Sequence, residues 1–249
     1  MGILEPLRAS LVLAQAGASY MTGLVGNVSI PVYSGSNVGW AGEVSAATDG
    51  AGKFSEVNLE PKRLTAYIDV SKQFLIQDSN SAEEMLKRDI VSAIASKLEA
   101  TILGKEAGDA NKPAGLLNTV VADGSAVTYK DIVKMEADLE AENVRGDIKF
   151  IVSPSAKADL KTTAKNQNSF LMEGNEVNGY PVLCTSAVAD KGVILANWSD
   201  LVIGQWGGID LTVDPYTQAA NGKVRLVINA YFDAKPRRAD AFIKKVLKA

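Results

Sequence analysis

"AATDGAGKFSEVNLEPKRLTAYIDV", residues 46–70, admits two readings, and the choice between them selects the fold. Gly50, Gly52 and Lys53 suggest a phosphate-binding loop, G-x-x-x-x-G-K-[ST], whose backbone N–H groups cradle phosphates and which opens a helix. Set in that frame, Ala47 stands where the first glycine belongs and Phe54 where Ser or Thr is needed. The continuation is not helical either. After Pro61, Leu64, Ala66, Ile68 and Val70 alternate with Arg63, Thr65, Tyr67 and Asp69, the period of a half-buried strand. The stretch therefore reads as a Gly/Ala tip between extended segments and not as a nucleotide site.

Outward from this tip, residues 31–77 read as one long two-stranded excursion, its second strand running through Phe74 and Ile76. A long helix follows. Ser81 and Glu84 have the spacing of a capping box, Leu86, Ile90, Ile94, Leu98 and Ile102 repeat every four residues, and Gly104 ends the run. A second helix is signalled by Thr128 as cap, Asp131 three residues on, and Ile132, Met135 and Leu139 on one face. "IKFIVSPSAKADLK" gives a strand, a proline at a helix start and a short helix. After the polar stretch "TTAKNQNSFLMEGNEVNGY", strands are expected at 181–186, 192–197, 201–206, 209–214 and 224–233, with an extended segment near 239–246. Strands and helices mix without a regular βαβ repeat, so the fold class is α+β.

Composition narrows the function. At 249 residues, 47% hydrophobic and 22% charged, the chain has ordinary globular character and can bury a sizeable core. A net charge of -3 argues against a protein whose main task is gripping nucleic acid, since that affinity comes from Lys and Arg neutralising phosphates. The one dense basic cluster, "AKPRR" at 234–238, reads as a solvated strand end. The single cysteine, Cys184, lies in an apolar run and reads as a buried inert thiol. With no histidine in the chain, Ser-His-Asp triads and His-ligated metal sites are closed off, and no cofactor is implied. No run approaches the ~20 apolar residues of a membrane span. Glu5, Pro6 and Arg8 spoil both a signal peptide and a myristoylation motif, so the chain reads as cytoplasmic.

The hairpin raises a physical problem. Two strands standing away from a core cannot bury enough apolar surface to offset their ordering. Yet this excursion carries Trp40, Phe54, Leu59, Leu64, Tyr67 and Ile68. Strands of about 12 to 15 residues would reach roughly 40 to 50 Å, so the arm is expected to lie on a neighbouring subunit, Gly50 and Gly52 letting the tip adapt. The alternative is a hairpin folded back on its own domain.

The succession of these features resembles the major capsid proteins of tailed bacteriophages, with the Hong Kong 97-type fold. The resemblance covers essentially the whole chain. It rests on "LRASLVLAQAGASYM" and "IPVY", on "WAGE" and "KFSEVNLEPKRLTAYIDVSKQFLIQDS", on the long helix and "PAGLLN", then on "FIVSPSAKADL", "GYPVLCTSAV", "WSDLVIGQWGGIDLTVD" and "RLVINAYFDAKPRRADAFIKK". It implies an N-arm at 1–30, an extended E-loop with flanking strands at 31–77, a P-domain spine helix at 78–112, an A-domain at 113–205 and P-domain return strands at 206–249. The implied intersubunit E-loop tip is Asp49, Gly50, Gly52, Lys53 and Phe54. The implied threefold loop holds Asp214, Tyr216, Gln218 and Asn221, and the axial loop Asn166, Asn168 and Asn175.

The resemblance also implies hexamers and pentamers of an icosahedral shell around double-stranded DNA, a location in the virion after assembly in the bacterial host cytoplasm, and scaffold, portal and decoration proteins as further partners. Some family members join an E-loop lysine to a P-domain asparagine with help from a glutamate. Here Ala47 aligns with the lysine, Gly222, beside Asn221, with the asparagine, and Asn229 with the glutamate. The missing carboxylate implies a shell without covalent crosslinks. Family precursors often carry an N-terminal scaffolding segment, whereas this sequence begins at the arm, which leaves open a mature form, a shortened chain or a separate scaffold. The nearest rival is an encapsulin-like compartment, which shares the fold and encloses a cargo enzyme. An enzyme is the rival from another class, its candidates being the failed phosphate loop and the carboxylates Asp210 and Asp214.

Overall fold

The computed structural model describes residues 11–46, 49–77, 79–121 and 127–247, with the side chains at 75, 77, 79–84 and 87 outside the description. The side chains of the expected cap pair Ser81 and Glu84, the first ten residues of the implied N-arm and the crosslink position Ala47 therefore lie outside the description. The chain opens with a short helix, α1 (Val12–Ala16), and a strand, β1 (Ser19–Met21). A two-stranded ribbon follows, β2 (Val28–Tyr33) paired antiparallel with β3 (Phe54–Leu59).

A four-stranded sheet runs in the order β1, β12 (Leu201–Asp214), β13 (Lys223–Pro236), β4 (Lys62–Ser71), with β1 parallel to β12 and the other pairs antiparallel. The alternation that began at Leu64 thus serves this sheet. Leu64, Ile68 and Leu211 pack on the main core beside Ile228, Ala230 and Phe232. The expected strands at 201–206 and 209–214 are one strand with a bulge between Trp206 and Asp210, where Gly207 takes a left-handed φ of 64°.

The expected two-stranded excursion over 31–77 is corrected in its second part. Residues 62–71 belong to the sheet, and residues 72–77 form a helix, α2 (Lys72–Gln77), where a strand was expected. The cause is the end of the partner strand. The β13 ladder begins at Lys223 opposite Ser71, so beyond that point no strand remains to pair with, and a short apolar run is ambiguous between helix and strand. The Lys72 N–H instead donates to the Gly222 carbonyl at 2.9 Å.

The long helix α3 (Ser79–Ile102) starts two residues before the expected cap and buries Ile90, Ile94, Leu98 and Ile102. Gly104 does not end it with a left-handed turn. Its neighbourhood is a close backbone approach: a Cβ on Gly115 would sit 2.2 Å from the Gly104 carbonyl oxygen. That approach lets the N–H groups of Leu116 and Leu117 reach the carbonyls of Ile102 and Gly104 at 2.7 and 3.0 Å, satisfying acceptors that a helix end leaves open.

The second layer is a six-stranded sheet in the order β14 (Phe242–Val246), β11 (Gly192–Asn197), β5 (Ile148–Val152), β10 (Tyr180–Cys184), β9 (Glu176–Val177), β8 (Met172–Glu173). Helices α4 (Tyr129–Ala141) and α5 (Pro154–Thr162) complete it, and a two-residue strand β7 (Ser169–Phe170) pairs with β6 (Ala164–Asn166) as a separate ribbon. The α4 start has the expected capping box between Thr128 and Asp131, and the α5 start has Ser153 as cap and Pro154 at its first turn. Residues 206–249 do not all return to the first sheet. The β14 strand pairs with β11 in the second, where Phe242 meets Trp198 edge-on at 5.7 Å. Cys184 is half-buried, not buried. The basic run is not merely solvated: Lys235 Nζ donates to the Asn58 carbonyl at 2.5 Å and Arg238 to that of Glu142 at 2.8 Å.

Candidate assembly surfaces

The ribbon of β2 and β3 leaves the four-stranded sheet through a fixed base. Asp233, fully buried, accepts the Glu60 N–H at 3.1 Å and faces Lys62 Nζ at 3.5 Å, a charge-assisted pair inside the fold. Leu59 packs with Val202 and Trp206, and Trp206 donates its indole N–H to the Gly26 carbonyl at 2.6 Å. Beyond the base, the ladder of Val28 to Tyr33 is prolonged by bonds from Ser34 to Lys53 at 3.0 Å and from Asn37 to Gly50 at 2.9 Å. The six residues of β2 span about 20 Å, and the two further bonds carry the pairing on to Asn37.

The five residues expected at the E-loop tip do not form its turn. Among the described residues the far turn is closed by the Ser45 N–H donating to Gly42 at 3.0 Å. Gly50 and Gly52 sit in the ladder, and neither has a left-handed φ. A Cβ on Gly50 would meet the Asn37 carbonyl oxygen at 2.0 Å, and one on Gly52 the Gly35 oxygen at 2.0 Å. Their role is close cross-strand approach, which corrects the expected adaptability. Asp49 accepts the Ala51 N–H at 3.0 Å, and the Tyr33 hydroxyl accepts the Gly52 N–H at 3.0 Å. The hydroxyl's contacts with Ser36 and Gly52 hold the Tyr33 phenol below its ordinary pKa. Phe54 stacks on Tyr33 with ring centroids 4.6 Å apart yet stays mostly exposed, Lys53 points to solvent, and Val38, Trp40 and Val44 are more than 90% exposed.

At the other end of the sheet, Asp214 accepts the N–H groups of Tyr216 and Thr217 at 2.8 and 3.1 Å and the Thr217 hydroxyl. These bonds, Thr217 first, keep its carboxyl below the usual range and fix the turn. Tyr216 stands out from it, and Asn221 donates to Gln218 at 2.7 Å. The four expected loop residues are thus together in one turn. The three asparagines are not. Asn166 accepts from the Asn168 N–H and the Ser169 hydroxyl, both at 2.9 Å, while Asn175 lies in the β8–β9 connection, its carbonyl accepting the Val182 N–H at 2.8 Å.

Two residues that the sequence reading did not single out organise the remaining surfaces. Asn178, in a left-handed conformation at φ 52°, donates to both carboxylate oxygens of Glu136 at 2.9 and 2.8 Å. It also accepts from Lys165 at 3.1 Å and Tyr129 at 3.3 Å, so it ties the polar stretch to α4. The second is Glu99 on α3, 6% exposed, whose Oε1 accepts the Leu13 N–H at 3.0 Å. Burial raises its carboxyl, the N–H groups of Leu13 and Val12 opposing the shift. Lys149 on β5 reaches the other end of α1, its ammonium 3.3 and 3.4 Å from the carbonyls of Gln15 and Ala16. A five-residue helix thus has an anion at its start and a cation at its end, the polarity its dipole favours. Among the described residues no group of three His, Cys, Asp or Glu is placed to hold a metal, and no helix is long and apolar enough to cross a membrane.

The same architecture recurs in solved shells. The capsid chain of an empty GTA particle superposes with a TM-score of 0.77 at 20% identity, over 96% of this chain and 89% of that one. A chain from Mycobacterium phage Cain superposes at 0.72 with 15% identity, over 96% and 90%. In sequence, the major capsid protein of Halomonas phage phiHAP-1 is 29% identical over 96% of this chain and 41% of its own length. The capsid polyprotein of Pseudomonas phage PAJU2 is 28% identical over 72% and 30%. The chain therefore spans less than half the length of these curated relatives. The model of the phage capsid family matches residues 1–247, and this chain belongs to that family.

Proposed function

We propose that the chain is a major capsid protein that self-assembles into hexamers and pentamers of an icosahedral shell enclosing double-stranded DNA, without covalent crosslinks between subunits. The observation that carries the reading is the ribbon beyond Tyr33, which extends from a fixed base and leaves Val38, Trp40 and Val44 in solvent. Apolar groups concentrated on an exposed extension mark a surface made for another protein. Family membership supplies the kind of partner, further copies of the same chain.

In these terms the ribbon of residues 28–59 is the E-loop, α3 and the four-stranded sheet are the P-domain, the six-stranded sheet with α4 and α5 is the A-domain, and residues 11–21 end the N-arm. The turn of Asp214, Tyr216, Gln218 and Asn221 serves contacts at threefold positions, and the stretch with Asn166, Asn168 and Asn175 faces the capsomer axis. The DNA is enclosed without sequence-specific contacts, in keeping with the net charge of -3. Scaffold, portal and decoration proteins are the further partners, and assembly takes place in the host cytoplasm.

An encapsulin-like compartment is the less favoured reading, because the matching family and both curated relatives are phage capsid proteins. Electron microscopy of the purified protein, with nuclease treatment of particles isolated from the producing cell, tests the assignment. Closed shells or capsomers with protected DNA are expected. A strictly monomeric protein across the micromolar range, or shells that protect a cargo enzyme instead of DNA, would overturn it.

A further inference from the structure

Asn-Gly occurs twice in the chain, at Asn178–Gly179 and Asn221–Gly222, and the fold treats the two copies differently. The dipeptide has a chemistry of its own. A glycine nitrogen has no side chain beside it, so it can attack the side-chain carbonyl carbon of the asparagine before it. A C–N bond closes a five-membered imide, the glycine N–H proton is lost, and the side-chain nitrogen leaves as ammonia. Water then opens the imide at either carbonyl, which gives aspartate or isoaspartate. Nothing is oxidised or reduced, and water is the only co-reactant.

In a folded chain the rate depends on whether the amide and the backbone can open to reach this geometry. At the first copy both are fixed. Asn178 and Gly179, with φ of 52° and 88°, join β9 to β10, and Val177 pairs with Tyr180 across them. Two successive left-handed residues are the signature of a tight hairpin turn, held by the strands on either side. The Asn178 amide nitrogen donates to both Glu136 oxygens at 2.9 and 2.8 Å, and its oxygen accepts from Lys165 and Tyr129 at 3.1 and 3.3 Å. Both donors and the acceptor of the amide are thereby engaged.

The second copy is open. Asn221 ends the short 3-10 turn Ala219–Asn221, and Asn221, Gly222 and Lys223 are all exposed. Among the described residues its amide has one partner, the Gln218 side chain of the same loop, at 2.7 Å. The attacking Gly222 N–H is held by one turn bond, to the Ala219 carbonyl at 3.1 Å. Exposed loop tips of this kind are where local opening costs least.

We propose that Asn221–Gly222 is a site of spontaneous covalent modification, where imide formation and hydrolysis turn Asn221 into a carboxylate, and that the fold protects Asn178–Gly179 from the same reaction. The product adds one negative charge to a turn that already holds Asp214, in a chain whose net charge is -3. Isoaspartate also inserts a carbon into the backbone ahead of Gly222, whose carbonyl accepts the Lys72 N–H at 2.9 Å at the start of α2. The reaction takes place within one chain and does not depend on the shell reading.

The test ages the full-length protein in neutral buffer, kept too dilute to assemble, and follows both dipeptides by peptide mass spectrometry with electron-transfer fragmentation, which distinguishes isoaspartate from aspartate. Asn221 is expected to gain the mass of an NH-to-O exchange. Asn178 is expected to react at least about tenfold more slowly, the ratio set by breaking one hydrogen bond to a charged group. In denaturant the two positions should react at similar rates. Asn221→Gln, whose longer side chain closes a less favoured six-membered ring, should keep its mass. An unchanged Asn221 in folded protein, when the denatured chain reacts, would overturn the proposal. Equal rates at the two positions in the folded protein, or a mass gain in this peptide that persists in Asn221→Gln, would overturn it as well.

Discussion

Glu99 Oε1 lies 3.0 Å from the Leu13 nitrogen, joining the last turn of the long helix to the start of α1 across 86 residues of sequence. Both partners are buried, so removing the acceptor strands backbone donors without water. Glu99→Ala is expected to destabilise by about 1–3 kcal/mol, the cost of a buried unsatisfied polar group, and to expose the Leu13 amide to hydrogen exchange. Glu99→Gln, which keeps an acceptor, should cost less. Exchange at Leu13 unchanged in the alanine variant would contradict the role assigned to the carboxylate.

The same residue sets a pH dependence of definite sign. Its folded-state pKa is raised above the ordinary 4.5, so between that value and the raised one the folded chain holds a proton that the unfolded chain has released. Its contribution to stability therefore falls as pH rises through that window. Denaturant titrations across it should show a slope that Glu99→Gln removes.

Asp131 gives the opposite slope. Burial would raise its carboxyl, but the ion pair with Lys245 at 2.7 Å and the bonds from Thr128 outweigh burial and bring it down to about 2. The stabilisation is present above 3.8 and is lost as pH falls towards 2, a difference on the order of 2 kcal/mol. Asp131→Asn should flatten the acid limb of the stability curve, and an unchanged limb would refute the assignment.

Gly52→Ala should uncouple the ribbon from the body of the fold. The added carbon would overlap the Gly35 carbonyl oxygen, 2.0 Å away, and the Tyr33 ring, 2.7 Å away. Loss of exchange protection at Lys53 and Ser34 is expected with an unchanged melting temperature for the core, together with impaired assembly. Deleting residues 47–53 should act in the same direction. Wild-type assembly by both variants would remove the ribbon from the assembly mechanism.

Boiling the assembled protein in detergent should return single chains. Asn229, at the position aligned with the family's glutamate, accepts the Thr65 hydroxyl at 3.0 Å and has no carboxylate to promote amide formation. A ladder of covalent oligomers would show that another group takes its place.

The elements that the sequence made legible are those whose signals are local. Thr128 and Asp131 announce α4, Pro154 announces α5, and the spacing from Ile90 to Ile102 announces α3. Partnership was harder to read. The alternation of Leu64 to Val70 identifies a strand but not its mate, and β13 lies over 150 residues further along. The pairing of β14 with β11 is likewise set by a partner about 50 residues away and has no local signal. Glu99 did carry a signal: it lies four residues after Ala95 and three before Ile102, a charge on the buried stripe of α3. For Asn178 the Asn-Gly dipeptide marks a turn, but nothing local points to Glu136.

The pairing of β14 with β11 also bears on when this chain can fold. The strand at the edge of the six-stranded sheet comes from residues 242–246, which follow the other five strands of that sheet in the chain. Until it arrives, β11 presents an open hydrogen-bonding edge, and Trp198 lacks the ring of Phe242 that covers it. Completion of this layer therefore waits on residues 242–246, and the layer stays open along β11 until they dock.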